Sequence, residues 1–199
     1  SADFSKANLT NVTFRGAKLI RCRLTGADLS HVDLSGCDLT DSDLTRAQLK
    51  GTNFTGACLN RARFPSADLT GARLDRTHGR STYFGLAKLD QTTFLGAQLR
   101  ALCAENASLR GSDFSEAQLP EARFIRADLR DTSFRKAVLT YADFSHAQVG
   151  PTSFVEADLK GANLHAMDEE KADFQKANVV GVRHTDPELL EAENFSTGG

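Results

Sequence analysis

The chain has 199 residues, enough for one domain with a sizeable core. Hydrophobic residues make up 40% and the net charge is −2, so the basic balance of a nucleic-acid binder is missing. No apolar run approaches a membrane span, and no secretory signal is recognised at the start. Charge is unevenly spread: residues 1–100 hold 14 Lys/Arg against 9 Asp/Glu, and residues 101–199 hold 10 against 17. Such a gradient is either ordinary solvated surface or a means of oriented docking.

From Ala2 the chain reads in fives: ADFSK, ANLTN, VTFRG, AKLIR, CRLTG, and on without an insertion through the VVGVR stretch near Arg183, the last centre being Val179 of ANVVG. The third residue of each unit falls at 4, 9, 14 and so on to 179, and 33 of these 36 centres are Leu, Phe or Val. Two residues earlier stands Ala, Ser, Thr, Cys or Val, except at Leu102 and Met167. A period of five fits neither a helix nor a flat strand. It describes a short extended piece with two inward side chains, followed by a corner. One such unit cannot bury its face alone, so the units must stack as a β-solenoid.

At the N-terminal end Ser1 precedes a unit already in register. The uncapped coil, with Phe4 and Leu9, is expected to be covered by a preceding domain, to abut a second rod as a homodimer, or to stand exposed. Because residue 1 is not Met, the chain is expected to be processed or part of a longer protein.

Phenylalanines set the coil length. Twelve of thirteen are centres, and all twelve stand at positions ending in 4. A strict period of ten requires an even number of units per coil, and two units cannot enclose side chains. Four units make a square coil of 20 residues, with Phe on two opposite faces and Leu on the others. The predicted core is a stacked column of Phe94, Phe114, Phe134, Phe154 and Phe174. About nine coils at about 4.8 Å each give a rod roughly 44 Å long.

ADLSH, ADLTG, ADLRD, ADLKG, ANLHA and ADFQK resemble the A(D/N)Lxx consensus of the pentapeptide-repeat family. The resemblance covers about residues 2–184. It implies an all-β fold, a right-handed quadrilateral β-helix over residues 1–184; the hand comes from the family. Residues 185–199 are read as a short capping helix and tail.

Three centres break the rule: Gly79, Ala104 and Glu169. At the last two, the residue two positions upstream grows to Leu102 or Met167, which restores inward bulk. Gly79, in Thr77-His78-Gly79-Arg80-Ser81, has no such repair. A void, a bulge or a distorted corner is expected there. The dent and its outward neighbours, His78, Arg80, Tyr83, Leu86 and Cys103, form the candidate partner-binding site, with a tolerated defect as the plainer alternative.

The C-terminal TDPELLEAENF is a helix start, with Asp186 as N-cap and Pro187 in the first turn. Leu189, Leu190 and Phe195 are expected to cover the open end of the last coil, and the final STGG to fray.

Catalytic and ligand chemistry is not evident. Cys22 and Cys37 occupy core positions, and Cys58 and Cys103 face outward too far apart for a disulfide. This is consistent with a reducing compartment, and the cytoplasm is favoured. His146, His165 and His184 step diagonally at a spacing of 19, which would approximate a metal pair or triad if the side chains converged. They hold the fifth, fourth and third places of their units, so their side chains are expected to diverge, and no metal or cofactor is assigned. Abundant Ser, Asp and His on a repeat surface do not make a triad, no phosphate loop or zinc motif appears, and an enzyme is not expected.

The leading functional reading is a non-catalytic scaffold that binds a protein partner, as the C-terminal domain of a larger bacterial protein. Pentapeptide tails of this kind occur on secretion-associated proteins, including type VI accessory proteins. An alternative, also implied by the resemblance, is a DNA mimic that protects DNA gyrase, as quinolone-resistance pentapeptide proteins do. That requires dense acidic surface, yet Arg61, Arg63, Arg73, Arg76 and Arg80 point outward. Nucleic-acid binding through the basic first half is a third reading, weakened because the Phe rings are assigned to the core.

Overall fold

The structure is a computed structural model and describes residues 2–196. It is a single stack of square coils. Isolated parallel bridges join most residues before a centre to the residue 20 positions later, from Asp3↔Arg23 to Asn163↔Arg183. Four five-residue units therefore close one coil.

Each unit forms for the same local reasons. The centre and the residue two before it point inward, and the residue between them pairs with the coils above and below. Ladder bonds run from Phe4 N–H to Arg23 O at 2.8 Å and from Arg23 N–H to Ala2 O at 2.9 Å. A β-turn then makes the corner: Ala7 N–H donates to Phe4 O at 3.0 Å. Its third residue takes a left-handed φ, as at Lys6 (60°), Arg21 (54°) and Gly16 (70°), the signature of a type II turn. Glycine suits that place, but Arg, Glu and even Tyr141 adopt it here. A non-glycine residue costs about 1–2 kcal/mol in this region, which the repeated ladder and core must offset at every corner.

The Asp or Asn before each centre has a second task. Its side-chain oxygen accepts the N–H two residues on: Asp3 from Ser5 at 2.9 Å, Asp38 from Thr40 at 3.0 Å, Asn53 from Thr55 at 3.0 Å. This Asx turn pins the corner and accounts for the Asp/Asn preference of the repeat.

The interior is filled. Phe94, Phe114, Phe134 and Phe154 have no exposed surface. Phe94 and Phe114 stack at 4.3 Å, and Phe114, Phe134, Phe154 and Phe174 continue at 5.1 Å per step. Phe174, near the C-terminal end of the stack, is only partly buried. Phe rings of the opposite face meet this column edge-on, as Phe124 meets Phe134 at 5.4 Å. Buried hydroxyls are satisfied internally: Thr52, Thr92 and Thr132 donate to the carbonyls of Leu29, Leu69 and Leu109 at 2.8, 3.1 and 2.8 Å. At the two repaired units Leu102 and Met167 are buried, while Glu169 leaves the interior to meet His184 at 2.9 Å.

Named strands occur only at the irregular coils. The Gly79 unit becomes β1 (His78–Arg80), which pairs in parallel with β2 (Gln98–Arg100). Of the three expected outcomes the structure shows a distorted corner. Gly79 has φ +156°, and a Cβ there would lie 2.8 Å from Leu59 C and Asn60 N. The glycine is required by close approach to the coil below. β3 (Thr152–Ser153) pairs with β4 (Ala172–Asp173) in the same way. Pro151 cannot take a positive φ, so the corner before β3 is a bend. In the next coil a 3-10 turn at Glu169–Lys171 replaces the corresponding corner.

α1 (Pro187–Ser196) begins as expected. The Asp186 carboxylate accepts the N–H groups of Glu188 at 3.0 Å and Leu189 at 3.2 Å. Its position differs from the expectation. Leu189 is 48% and Phe195 81% exposed, and Val179 and Val180 at the last coil are exposed too. Leu189 and Phe195 therefore do not cover the end of the stack, while Leu190 is half-buried; Glu193 anchors the helix to the flank, beside His146 and His165. The tail at 197–199 lies outside the described residues.

Candidate functional site

The five residues singled out at the dent divide between two faces and two corners. Tyr83 and Cys103 are brought together. Tyr83 pairs with Arg63 below and Cys103 above on one face. The Arg63 guanidinium stands 5.2 Å from the ring centroid, a cation–π distance. The ring lies across Gly85, where a side chain would run into the phenol. His78 sits on the adjacent face, between Cys58 and Gln98, and Arg80 is exposed at the corner between the faces. Leu86 stands at the next corner, 63% exposed.

The groove around Tyr83 is lined by Arg61, Arg63, Cys103, Glu105 and Arg123. Two of its arginines are paired: Arg61 grips Asp41 through two bonds of 2.6 and 2.8 Å, and Arg123 meets Glu105 at 2.6 Å. The Arg61 guanidinium holds the Asp41 carboxyl below the usual range. Burial pushes the Cys103 thiol up, so it stays protonated at neutral pH and is a poor nucleophile. The groove offers an aromatic surface, guanidinium planes and a thiol, which suit recognition of a protein surface better than bond making.

A second cluster was legible in the sequence only through the spacing of its histidines. The expected divergence of the three C-terminal histidines does not hold for the first two. His146 occupies a corner, and His165 stands just before the corner one coil up. Their rings lie 5.6 Å apart, edge to face. Glu193 of α1 reaches both: its Oε2 is 3.1 Å from His146 Nε2 and 3.4 Å from His165 Nε2. His165 is buried, and its Nδ1 accepts the Asp186 N–H at 3.2 Å. His184 turns away to Glu169. The spacing of 19, one short of a coil, was the available signal. It places diagonal neighbours at one corner, and only the docked helix supplies the third member.

A four-sided stack of five-residue units with sealed interior and Asx-pinned corners defines a class of repeat protein. The family model for pentapeptide repeats matches in eight copies, with stretches running without a gap from 2–41 to 117–149. The chain belongs to the pentapeptide-repeat family, whose members form right-handed β-helices and are generally non-enzymatic scaffolds. Similar solved structures include HetL, a pentapeptide repeat protein involved in heterocyst differentiation regulation from the cyanobacterium Nostoc sp. strain PCC 7120. It is 25% identical, with a TM-score of 0.46 over 92% of this chain and 86% of its own. Trypsin-treated QnrB1, a plasmid-mediated fluoroquinolone resistance protein, is 20% identical, with a TM-score of 0.47 over 98% and 93%. A pentapeptide repeat protein of the Arabidopsis thaliana thylakoid lumen is 28% identical, with a TM-score of 0.32 over 62% and 71%. No curated protein sequence matches significantly. Among the described residues no helix is long and apolar enough to cross a membrane.

Proposed function

We propose that this chain is a non-catalytic interaction module that binds a protein partner on the Tyr83 face, as part of a larger bacterial assembly of the secretion-associated kind. The observation that carries the reading is the contrast between a sealed interior and an irregular stretch of wall that bears an aromatic ring on a guanidinium. With the core residues fully buried, chemistry and binding are left to the outer surface. There the regular polar columns are interrupted by Tyr83, half-buried against Arg63. Tyr and Arg are the residue types that dominate binding energy at interfaces.

Partner complementarity follows from the column through Tyr83: Asp3, Arg23, Asp43, Arg63, Tyr83, Cys103, Arg123, Asp143. Its signs are mixed, which suits a protein surface of mixed charge. A DNA mimic requires a continuous acidic face, and a single-strand binder requires outward aromatic platforms. Four cysteines without a disulfide fit the proposed reducing compartment.

The test is capture from source-cell lysate with the chain as bait, beside a Tyr83→Ala/Arg63→Glu variant and a separate Arg80→Glu variant. A dominant partner lost with the first variant supports the assignment. Loss only with Arg80→Glu moves the contact round the corner to the His78 face. Capture of topoisomerase subunits replaces this reading with the gyrase-protecting one.

A further inference from the structure

We propose that His146, His165 and Glu193 form a zinc-binding clasp that fixes α1 to the flank of the solenoid. The three ligand atoms lie within 4.8 Å of one another. Two of their separations are 3.1 and 3.4 Å, both to Glu193 Oε2. In a tetrahedral zinc site with bonds of about 2.0–2.1 Å, ligand atoms stand about 3.3 Å apart. The 3.1 Å separation also suits a direct N–H···O bond and the 3.4 Å one is longer than such a bond prefers, so without an ion the carboxylate already stands at the spacing of ligands that share one. Modest rotation of His146, the less buried ring, closes the third edge.

Two imidazoles and one carboxylate suit a borderline divalent ion, zinc foremost. Calcium and magnesium prefer an all-oxygen shell. The cluster opens into the groove between α1 and the coils, alongside Ser145 and Asn163, where water completes the coordination.

The histidine protons give the site a signature. In the metal-free chain the Asp186 N–H on His165 Nδ1 places the ring proton on Nε2, where it faces Glu193. Zinc takes the Nε2 lone pair, the proton moves to Nδ1, and Asp186 gives up its bond. The new Nδ1–H then faces the Asp186 N–H across the 3.2 Å that the bond now spans, so zinc binding requires the start of α1 to draw back from the ring and water to serve both donors.

The clasp supplies what packing does not. A ten-residue helix is marginal alone, and Leu189 and Phe195 leave much of their surface in water. A chelate through residues 146, 165 and 193 joins two successive coils to the helix.

The test titrates zinc alone into the metal-stripped full chain, against a competing chromophoric chelator, with histidine tautomers followed by nitrogen NMR. The expected result is one zinc per chain, with the His165 proton shifting from Nε2 to Nδ1. Glu193→Gln and His146→Ala should each weaken binding by roughly tenfold or more, with the fold checked by circular dichroism. His184→Ala, which removes the partner of Glu169 only, should leave affinity unchanged. Absence of one-to-one binding, unchanged affinity in both ligand variants, or an unshifted His165 proton at saturation would each overturn the proposal.

Discussion

The side chain of Asn60 accepts the backbone N–H of Arg80 at 3.1 Å, one full coil above it. In a regular unit that N–H is held by the Asp or Asn two residues earlier. Here that residue is His78, and the coil below provides the substitute. The same rule recurs where Thr93 and Ser108 stand in the Asx place. Asp75 then holds the Leu95 N–H at 3.1 Å, and Asp90 holds the Arg110 N–H at 2.9 Å. Asn60→Ala should cost about 0.5–1.5 kcal/mol and speed amide exchange at Arg80, whereas Asn60→Asp keeps the acceptor and should stay near wild type. Denaturant melts with exchange at that one amide check both.

Gly79→Ala brings its Cβ against the backbone of Leu59 and Asn60. The conformation alone costs about 1–3 kcal/mol, and the clash adds to it. Gly56→Ala is the comparison: φ is +69° but nothing lies within 4 Å of the added Cβ, so only the conformational cost of about 1–2 kcal/mol is expected. Equal losses in the two variants would contradict the close approach at Gly79.

Removal of the Phe114 ring, stacked between Phe94 and Phe134, should cost about 3–5 kcal/mol through the cavity left behind. The repaired coil allows a finer check. Leu102→Ala alone should cost about 2–5 kcal/mol. The double variant Leu102→Ala/Ala104→Leu, which restores the repeat, should recover most of that loss, as urea melts will show.

Acid should unfold the rod through its Asx turns. The Ser30 backbone N–H holds Asp28 below the usual carboxylate range, the Ser35 side chain does so for Asp33, and the Thr40 hydroxyl for Asp38. A lowered folded pKa adds stability that is fully present above the unfolded value near pH 4. That stability is lost as pH falls through the folded values. Stability should therefore be flat from about pH 7 to 5 and fall steeply below about pH 4. Asp38→Asn keeps an acceptor for Thr40 while removing the titration, so it should lessen the fall; an unchanged pH profile would refute the link.

The coil was legible because one residue type marked it. Phe at every tenth residue permits only an even number of units, and the bridges from Asp3 to Arg23 onward carry that count through the chain. Leu102 and Met167 were legible as repairs because bulk is conserved two residues upstream. The docking of α1 was not. Asp186 and Pro187 announce a helix start, but the direction of departure depends on tertiary contacts such as Glu193 with His146. The consequence of Pro151 was hidden too, since the proline sits at a polar corner and breaks no hydrophobic rule. Its effect is conformational, through a φ that the corner requires and proline cannot adopt. At the dent, the 20-residue register is what sets Tyr83 beside Cys103, while His78 and Arg80 lie near in sequence but round a corner.

The central claim is that one face of a sealed rod carries the partner. Four residues of one coil, Tyr83, Lys88, Thr93 and Gln98, each stand before a centre on a different face, and Thr93 is opposite Tyr83. A photo-crosslinking residue placed at each of the four in turn, in otherwise wild-type protein and in source cells, reads the faces separately. The account predicts a discrete adduct from position 83 and none from position 93. An adduct confined to position 93, or equal labelling at all four, would contradict it.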